Sequence, residues 1–348
     1  MSLPLPDYEH LLALIDDTGI YEHTQHGVPR REHGYCVDDA ARAIVVLCAA
    51  PELPSRVRAL RTLLAFVLHS LTPEGRFRNR LSFDRTWEDD GRDAPDDTQG
   101  RGIWALGVAA TTAPRADLRA AAASALGDVP DLESPHLRAL SYAALGASAL
   151  WTANPDDPDA ARFAAPAVRR LVGAPRPWPE ARLTYANARV PAAMIAAGEV
   201  AGMTGLVDSG LEVLAWLIET ETRDDHFSFT PVGGRSPGEH RPLFDQQPIE
   251  AAAMADAAER AWRSTGDRRW HDAVQRAGFW LLGQNDTGTP LYDPDTGSTR
   301  DGLMRDHANA NSGAESTIAG LMVLQACHRL ESGPGAHRRT ADQARARN

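Results

Sequence analysis

Two kinds of apolar segment alternate along the chain. In the first, apolar residues recur every three or four positions with a polar face opposite. Residues 55–71 are an example, with Leu60, Leu63, Leu64, Val67 and Leu68 on one side. In the second, nearly every residue is small and apolar, as in 38–49. A helix that is apolar all round must be buried, whereas an amphipathic one covers a core. Alternation of the strand type is almost absent.

The two kinds come in pairs. Segment 8–16 precedes 38–49, 55–71 precedes 98–110, 116–126 precedes 136–150, 159–172 precedes 184–197, 204–219 precedes 248–263, and 267–282 precedes 312–330. Small residues let helices approach closely, as the inner helices of a ring must. Six such pairs predict an all-α fold, an (α/α)6 toroid with six inner helices side by side and six outer ones shielding them. The repeat spacing is irregular, roughly 40–65 residues, because the connections differ in length. A superhelical array of hairpins is the structural rival. Residues 1–331 read as one toroidal domain, and 332–348 as a disordered polar tail.

The connections entering the inner helices are long. Residues 72–97 read as a small β-hairpin, while 223–247 and 285–311 mix Gly and Pro with aromatics. Long loops in compact domains are functional or disordered, and these hold too many aromatics for disorder. A toroid would gather them on one face, over the N-termini of the inner helices.

Composition narrows the chemistry. The 348 residues carry a formal net charge of -11, which argues against nucleic-acid and anionic-membrane partners. No Lys is present, which removes Schiff-base, pyridoxal-phosphate and Walker-type chemistry. Cys36, Cys48 and Cys327 lack CxxC spacing, so no zinc site or disulfide framework is indicated. No apolar run approaches ~20 residues and the N-terminus lacks a basic n-region, so the chain reads as cytoplasmic. No cofactor or metal is called for. Asp293-x-Asp295-x-Gly297 lacks EF-hand spacing and reads as a turn, and His23, His26 and His33 lack metal spacing.

Polar residues open the inner segments: Asp38-Asp39-x-x-Arg42, Asp96-Asp97-Thr98-Gln99-Gly100-Arg101, and Glu180 with Tyr185, Asn187 and Arg189. Asp245-Gln246-Gln247-x-x-Glu250 and Asn311 with Glu315 open the last two. The third segment lacks such a cluster. Helix capping accounts for much of this, since Asp, Asn and Ser are ordinary N-caps. Ser312-x-x-Glu315 fits a capping box, and Glu250 follows Pro248 where an N3 glutamate belongs. Doubled polar residues exceed what capping needs, and Arg42, Arg101 and Arg189 sit where the helix dipole disfavours a cation.

The Arg spacing predicts a division of roles. Asp39 and Asp97 have an Arg three or four residues on, so they should stay ionised and act as base. Glu250 and Glu315 have none, so burial should raise them toward a general acid. Opposed carboxylates across a pocket are the equipment of glycoside hydrolysis. Tyr35, Trp87, Trp178, Tyr185 and Phe244 are candidate platforms for sugar rings, with packing on the rim the alternative for each. Asp38, Arg42, Gln99, Arg101, Glu180, Asn187, Arg189, Asp245, Gln246, Gln247, Asp301 and Asn311 complete the candidate binding set.

The stretches 34–43, 97–107, 183–189, 244–250 and 313–317 together resemble a bacterial six-hairpin glycosidase-like family, whose members are often known only as glycosyltransferase-associated. The resemblance implies an (α/α)6 toroid acting on a glycan or sugar, and a functional link to a glycosyltransferase. That family carries acidic residues at the positions of Ala181 and Ala186, which implies that the fourth inner helix has lost carboxylates. The adjacent pair Asp38-Asp39 is also similar to one in bacterial α-mannanases of this toroid. The resulting expectation is a glycoside hydrolase for a short, mannose-containing glycan or glycoconjugate. The alternatives are a sugar epimerase or isomerase, which would need a His pair drawn from His226, His240 and His307, and a non-catalytic carbohydrate-binding partner of a glycosyltransferase.

Overall fold

The computed structural model describes residues 3–236, 238–239 and 242–331, so the expected tail at 332–348 lies outside the described residues. Twelve helices follow in order: α1 (Glu9–Ala13), α2 (Val37–Ala49), α3 (Arg56–Ser70), α4 (Asp96–Thr112), α5 (Ala116–Asp128), α6 (Leu137–Ala153), α7 (Pro158–Leu171), α8 (Arg189–Val200), α9 (Thr204–Thr220), α10 (Pro248–Thr265), α11 (Arg268–Leu281) and α12 (Ala314–Glu331). The even-numbered helices form the inner ring. Each packs on the next, and α12 returns to α2, which closes the ring and excludes the open superhelix. The odd-numbered helices lie outside, each against an inner neighbour.

Burial follows the two sequence patterns. In α2, α4, α6, α8, α10 and α12 most residues are buried, whatever their position on the helix. In the outer helix α7 burial is confined to one stripe, including Ala160, Phe163, Ala164, Ala167 and Leu171. Gly107 of α4 and Gly146 of α6 show how closely the inner helices meet. A Cβ on Gly107 would lie 2.7 Å from the Gly146 carbonyl oxygen, and one on Gly146 would lie 2.7 Å from that of Ile103. A methyl group at either position would overpack the ring, at a cost of about 1–3 kcal/mol.

Two predicted boundaries differ. The first helix shrinks to five residues, because the chain turns at Asp16, whose carboxylate accepts from the Thr18 and Gly19 amides. The fourth inner helix starts at Arg189, five residues later than the pattern suggested. Residues 184–188 are held as turns instead, with Ala186 at a φ of 44°. The 72–97 connection does form a small sheet. Arg80–Leu81 pairs with Tyr35–Cys36, and Leu81 also bridges to Trp87. Gly34 makes that pairing fit: its φ is 65°, and a Cβ there would come within 2.3 Å of the Leu81 carbonyl oxygen. The amides of Val37 and Asp38 then donate to Asn79, which fixes the start of α2. At 293–297 the structure has the expected turn, with the Asp295 amide on the Asp293 carboxylate.

Candidate active site at the mouth of the ring

A cavity of about 450 Å³ opens at the N-terminal end of the inner helices. All six inner helices or their entry turns reach it: Asp38 from α2, Asp96, Asp97 and Arg101 from α4, His136 before α6, Tyr185 before α8, Gln247 and Ile249 at α10, and Glu315 from α12. Four carboxylates therefore converge on one space, with a single guanidinium in its wall.

Arginines join these carboxylates across helices. Arg42 holds Asp39 on its own helix at 2.6 Å and Glu315 on α12 at 2.5 Å. Arg101 of α4 holds Asp38 on α2 at 2.8 Å and Asp97 at 3.4 Å, with its guanidinium 4.8 Å from the centre of the Tyr142 ring. The Tyr185 hydroxyl donates to Asp97. Oδ1 of Asp38 has no hydrogen-bond partner among the described residues. A buried carboxylate oxygen without a donor is costly, and a ligand hydroxyl would relieve it.

The electrostatics correct the expected division of roles. Along its own helix Glu315 has no cation three or four residues on. Burial pushes its carboxyl up most strongly, but Arg42 and Arg101 together outweigh it and hold it below the ordinary carboxylate value. Asp39, expected to be ionised by Arg42, is 2% exposed, and burial pushes it up to about 7 against that arginine's pull. Spacing along one helix could not show that Arg42 reaches a second helix. Burial also pushes the Tyr185 phenol up, reinforced by the Asp97 charge, so it remains a proton donor.

Several other candidates lie outside the cavity wall. Glu250 faces the turn before α8, where it accepts from the amides of Ala186 and Asn187 and from the Asn187 side chain. Burial and the Glu221 charge push its carboxyl up. Arg138, which the sequence reading missed, organises this side. It donates to the Tyr185 carbonyl, Glu180, Thr184 and Asn187 at 2.7, 2.6, 2.9 and 3.0 Å. The only signal for it was an arginine just inside an otherwise apolar helix. Arg189 points along the ring onto Asp256.

Two of the three candidate glutamines are braces for loops. Gln99 exchanges two hydrogen bonds with the backbone of Phe77, and Gln246 accepts from Phe229 while donating to Leu243 and Asp286. Asp301 caps α12 by accepting from the Gly313 amide and the Ser316 hydroxyl, and Asn311 joins it to Thr24. The capping box expected of Glu315 does not form, because its carboxylate is on Arg42. Asp245 lies beside Asp301, and burial and that charge push its carboxyl up.

Of the candidate platforms, Tyr185 alone lines the cavity. Tyr35 is buried, stacked on Tyr21 and donating to Asp16. Trp87 stacks on Phe66 of α3, and Trp178 on Trp216 of α9. Phe244 lies under Arg305. Glu22, Cys36 and Asp39 bring three potential metal-ligand atoms within 4.8 Å of one another. Each is already engaged, Glu22 by Arg80, Cys36 by Asn79 and Asp39 by Arg42, and burial holds the Cys36 thiol protonated.

No protein-family profile and no curated protein sequence matches the chain. Among solved structures it is similar to a sugar epimerase from a ruminal bacterium, with a TM-score of 0.69 and 12% identity over 92% of this chain and 95% of that one. It is also similar to a D-mannose isomerase (TM-score 0.67, 10% identity, 92% and 94%) and to an α-1,6-mannanase from Salegentibacter sp. (0.60, 12%, 92% and 96%). At these identities the likeness establishes architecture: the chain is an (α/α)6 toroid.

Proposed function

We propose that this toroid is a glycoside hydrolase whose reacting groups are Asp38, Asp97 and Glu315. One observation carries the reading: three carboxylates, each from a different inner helix, face a single cavity of ligand size. Glu315, kept ionised by Arg42, is the base or nucleophile. Asp38, with Oδ1 free of partners and its other oxygen on Arg101, faces the leaving oxygen. Asp97, fixed by Tyr185 and Arg101, accepts a sugar hydroxyl. Asp39 acts from behind, by holding Arg42. The fold neighbours support a sugar ligand, and one of them is an inactive α-1,6-mannanase with two consecutive aspartates replaced, solved with mannotriose. The consecutive pairs Asp38-Asp39 and Asp96-Asp97 make manno-oligosaccharides the first substrates to try.

The epimerase reading draws on the same fold neighbours but has less in the cavity. His136 is the one histidine lining it among the described residues. His226 is 3.2 Å from Asp286, and His307 is 2.6 Å from Asp306, neither of them in the cavity wall; His240 lies outside the described residues. NMR product analysis on α- and β-linked manno- and gluco-oligosaccharides tests the proposal. Wild type should release sugars with one anomeric configuration, and Asp38→Asn, Asp97→Asn and Glu315→Gln should not. An epimerised product with its linkage intact would overturn hydrolysis. Saturable binding without turnover would favour the non-catalytic partner.

A further inference from the structure

A second cavity, of about 430 Å³, lies against the outer helix α3 and shares no lining residue with the cavity at the mouth of the ring. One wall is a single stripe of α3: Arg58, Arg61, Thr62, Ala65, Phe66 and His69 recur at three- and four-residue steps. The other wall is the tip of the small sheet, Leu81 and Arg85, with Asp17 at the edge. Three arginines thus line the space with one aspartate among them, a local excess of positive charge on a chain of net charge -11.

The arginines differ in how far they are neutralised. Arg85 meets Asp17 at 3.4 Å and Arg61 meets Asp117 at 3.1 Å, both loose, exposed pairs that an incoming anion can displace. Arg58 has no ion pair among the described residues. Phe66 and Leu81 give the groove an apolar floor, with Trp87 stacked 5.8 Å behind Phe66. Several arginines lining one space match a phosphoryl group, which offers three acceptor oxygens and up to two charges.

We propose that this groove binds a phosphate monoester, with Arg58, Arg61 and Arg85 on the phosphoryl oxygens and Phe66 and Leu81 beneath the organic portion. Such a ligand would tie α3 to the sheet whose Arg80–Leu81 strand pairs with Tyr35–Cys36, immediately before α2. The proposal does not depend on the reaction at the ring.

Calorimetric titration of the full chain with inorganic phosphate, glucose 6-phosphate and glucose tests it, using wild type and the double variant Arg58→Gln/Arg85→Gln. Both side chains are exposed, so the variant should fold, and its melting temperature checks that. Both phosphate compounds should bind wild type, and the variant should bind them at least about tenfold more weakly. Tighter binding of glucose 6-phosphate than of inorganic phosphate supports a sugar phosphate on the apolar floor, and equal binding supports the free anion. Glucose should behave identically with both proteins. No phosphate binding, phosphate binding unchanged in the variant, or loss of glucose binding in the variant would overturn the proposal.

Discussion

The two halves of the ring mouth use the same residue types for different ends. On the half formed by α2, α4 and α12, Arg42 and Arg101 each tie two helices together, and Asp38, Asp97 and Glu315 among the carboxylates they hold keep a face toward the cavity. On the half formed by α6, α8 and α10, Arg138 and Glu250 turn into the segment 178–188 and hold it in place. What differs is the covering loop. Segment 178–188 lays its backbone over the second half and supplies partners there. On the first half Asp38, Asp97 and Glu315 are held by arginines and Tyr185, and Oδ1 of Asp38 is left without a partner for a ligand to take up. An acid near a helix N-terminus is thus a site or a brace according to what folds over it.

The largest expected effects test that division directly. Glu315→Gln should lower kcat/KM per folded molecule on a responsive glycan by about 10²–10⁴-fold, the usual weight of an acid or base, and should also lower the melting temperature because Arg42 loses one of its two partners. Asp38→Asn should behave alike. Glu250→Gln should instead lower stability and leave the rate per folded molecule near wild type. A Glu250 variant that is stable but inactive would break the comparison. Arg138→Gln comes next. Removing one partner from a buried ion pair typically costs about 3–5 kcal/mol, and Arg138 is 2% exposed with Glu180 opposite. Urea unfolding should show a loss of that order, and a loss below 1 kcal/mol would contradict the bracing role.

The toroid was legible because it rests on periodicity. Segments such as 136–150, mostly Ala and Leu, read as inner helices, and their pairing with stripes such as 159–172 suggests the ring, with the open superhelix as the rival. The cluster at the mouth was legible as a set, since polar residues at an apolar helix's start need explaining. Individual roles were not. Gln99 and Gln246 look like ligands in sequence but serve loops, because a glutamine that accepts and donates at once suits a backbone amide and carbonyl. Glu315 looked uncharged by neighbours because Arg42 is 273 residues away along the chain and 2.5 Å away in space. Arg138 left no pattern, since its four acceptors lie in a loop about 45 residues on.

Asp39 gives a pH test of the first half. Its folded pKa of about 7 lies above the ordinary 3.8, so the native state binds the proton more tightly than the unfolded chain. Its contribution is therefore full below about pH 3.8 and is lost as pH rises toward 7, by up to about 4 kcal/mol. Glu250, also raised by burial, adds a slope of the same sign. Glu315, which Arg42 lowers, adds the opposite one, losing its contribution as pH falls. Asp39→Asn should flatten the decline in unfolding free energy between pH 4 and 7. An unchanged slope would mean that Asp39 is ionised in the folded protein and that Arg42 is shared equally.

Tyr185 gives the smallest effect and the finest distinction, because it belongs to both halves. Its carbonyl accepts from Arg138 at 2.7 Å, within the brace, while its hydroxyl donates to Asp97, within the cavity. Tyr185→Phe removes the second link and leaves the first. One hydrogen bond to a charged group is worth about 1.5–3 kcal/mol, but the ring is 40% exposed, so water can replace the lost donor on Asp97. The melting temperature should move by no more than a degree or two. If Tyr185 orients Asp97 toward a sugar hydroxyl, KM should rise and kcat should fall by no more than about tenfold. Equal falls in stability and rate would instead show that the hydroxyl helps hold the covering segment, and that the two halves of the mouth act as one.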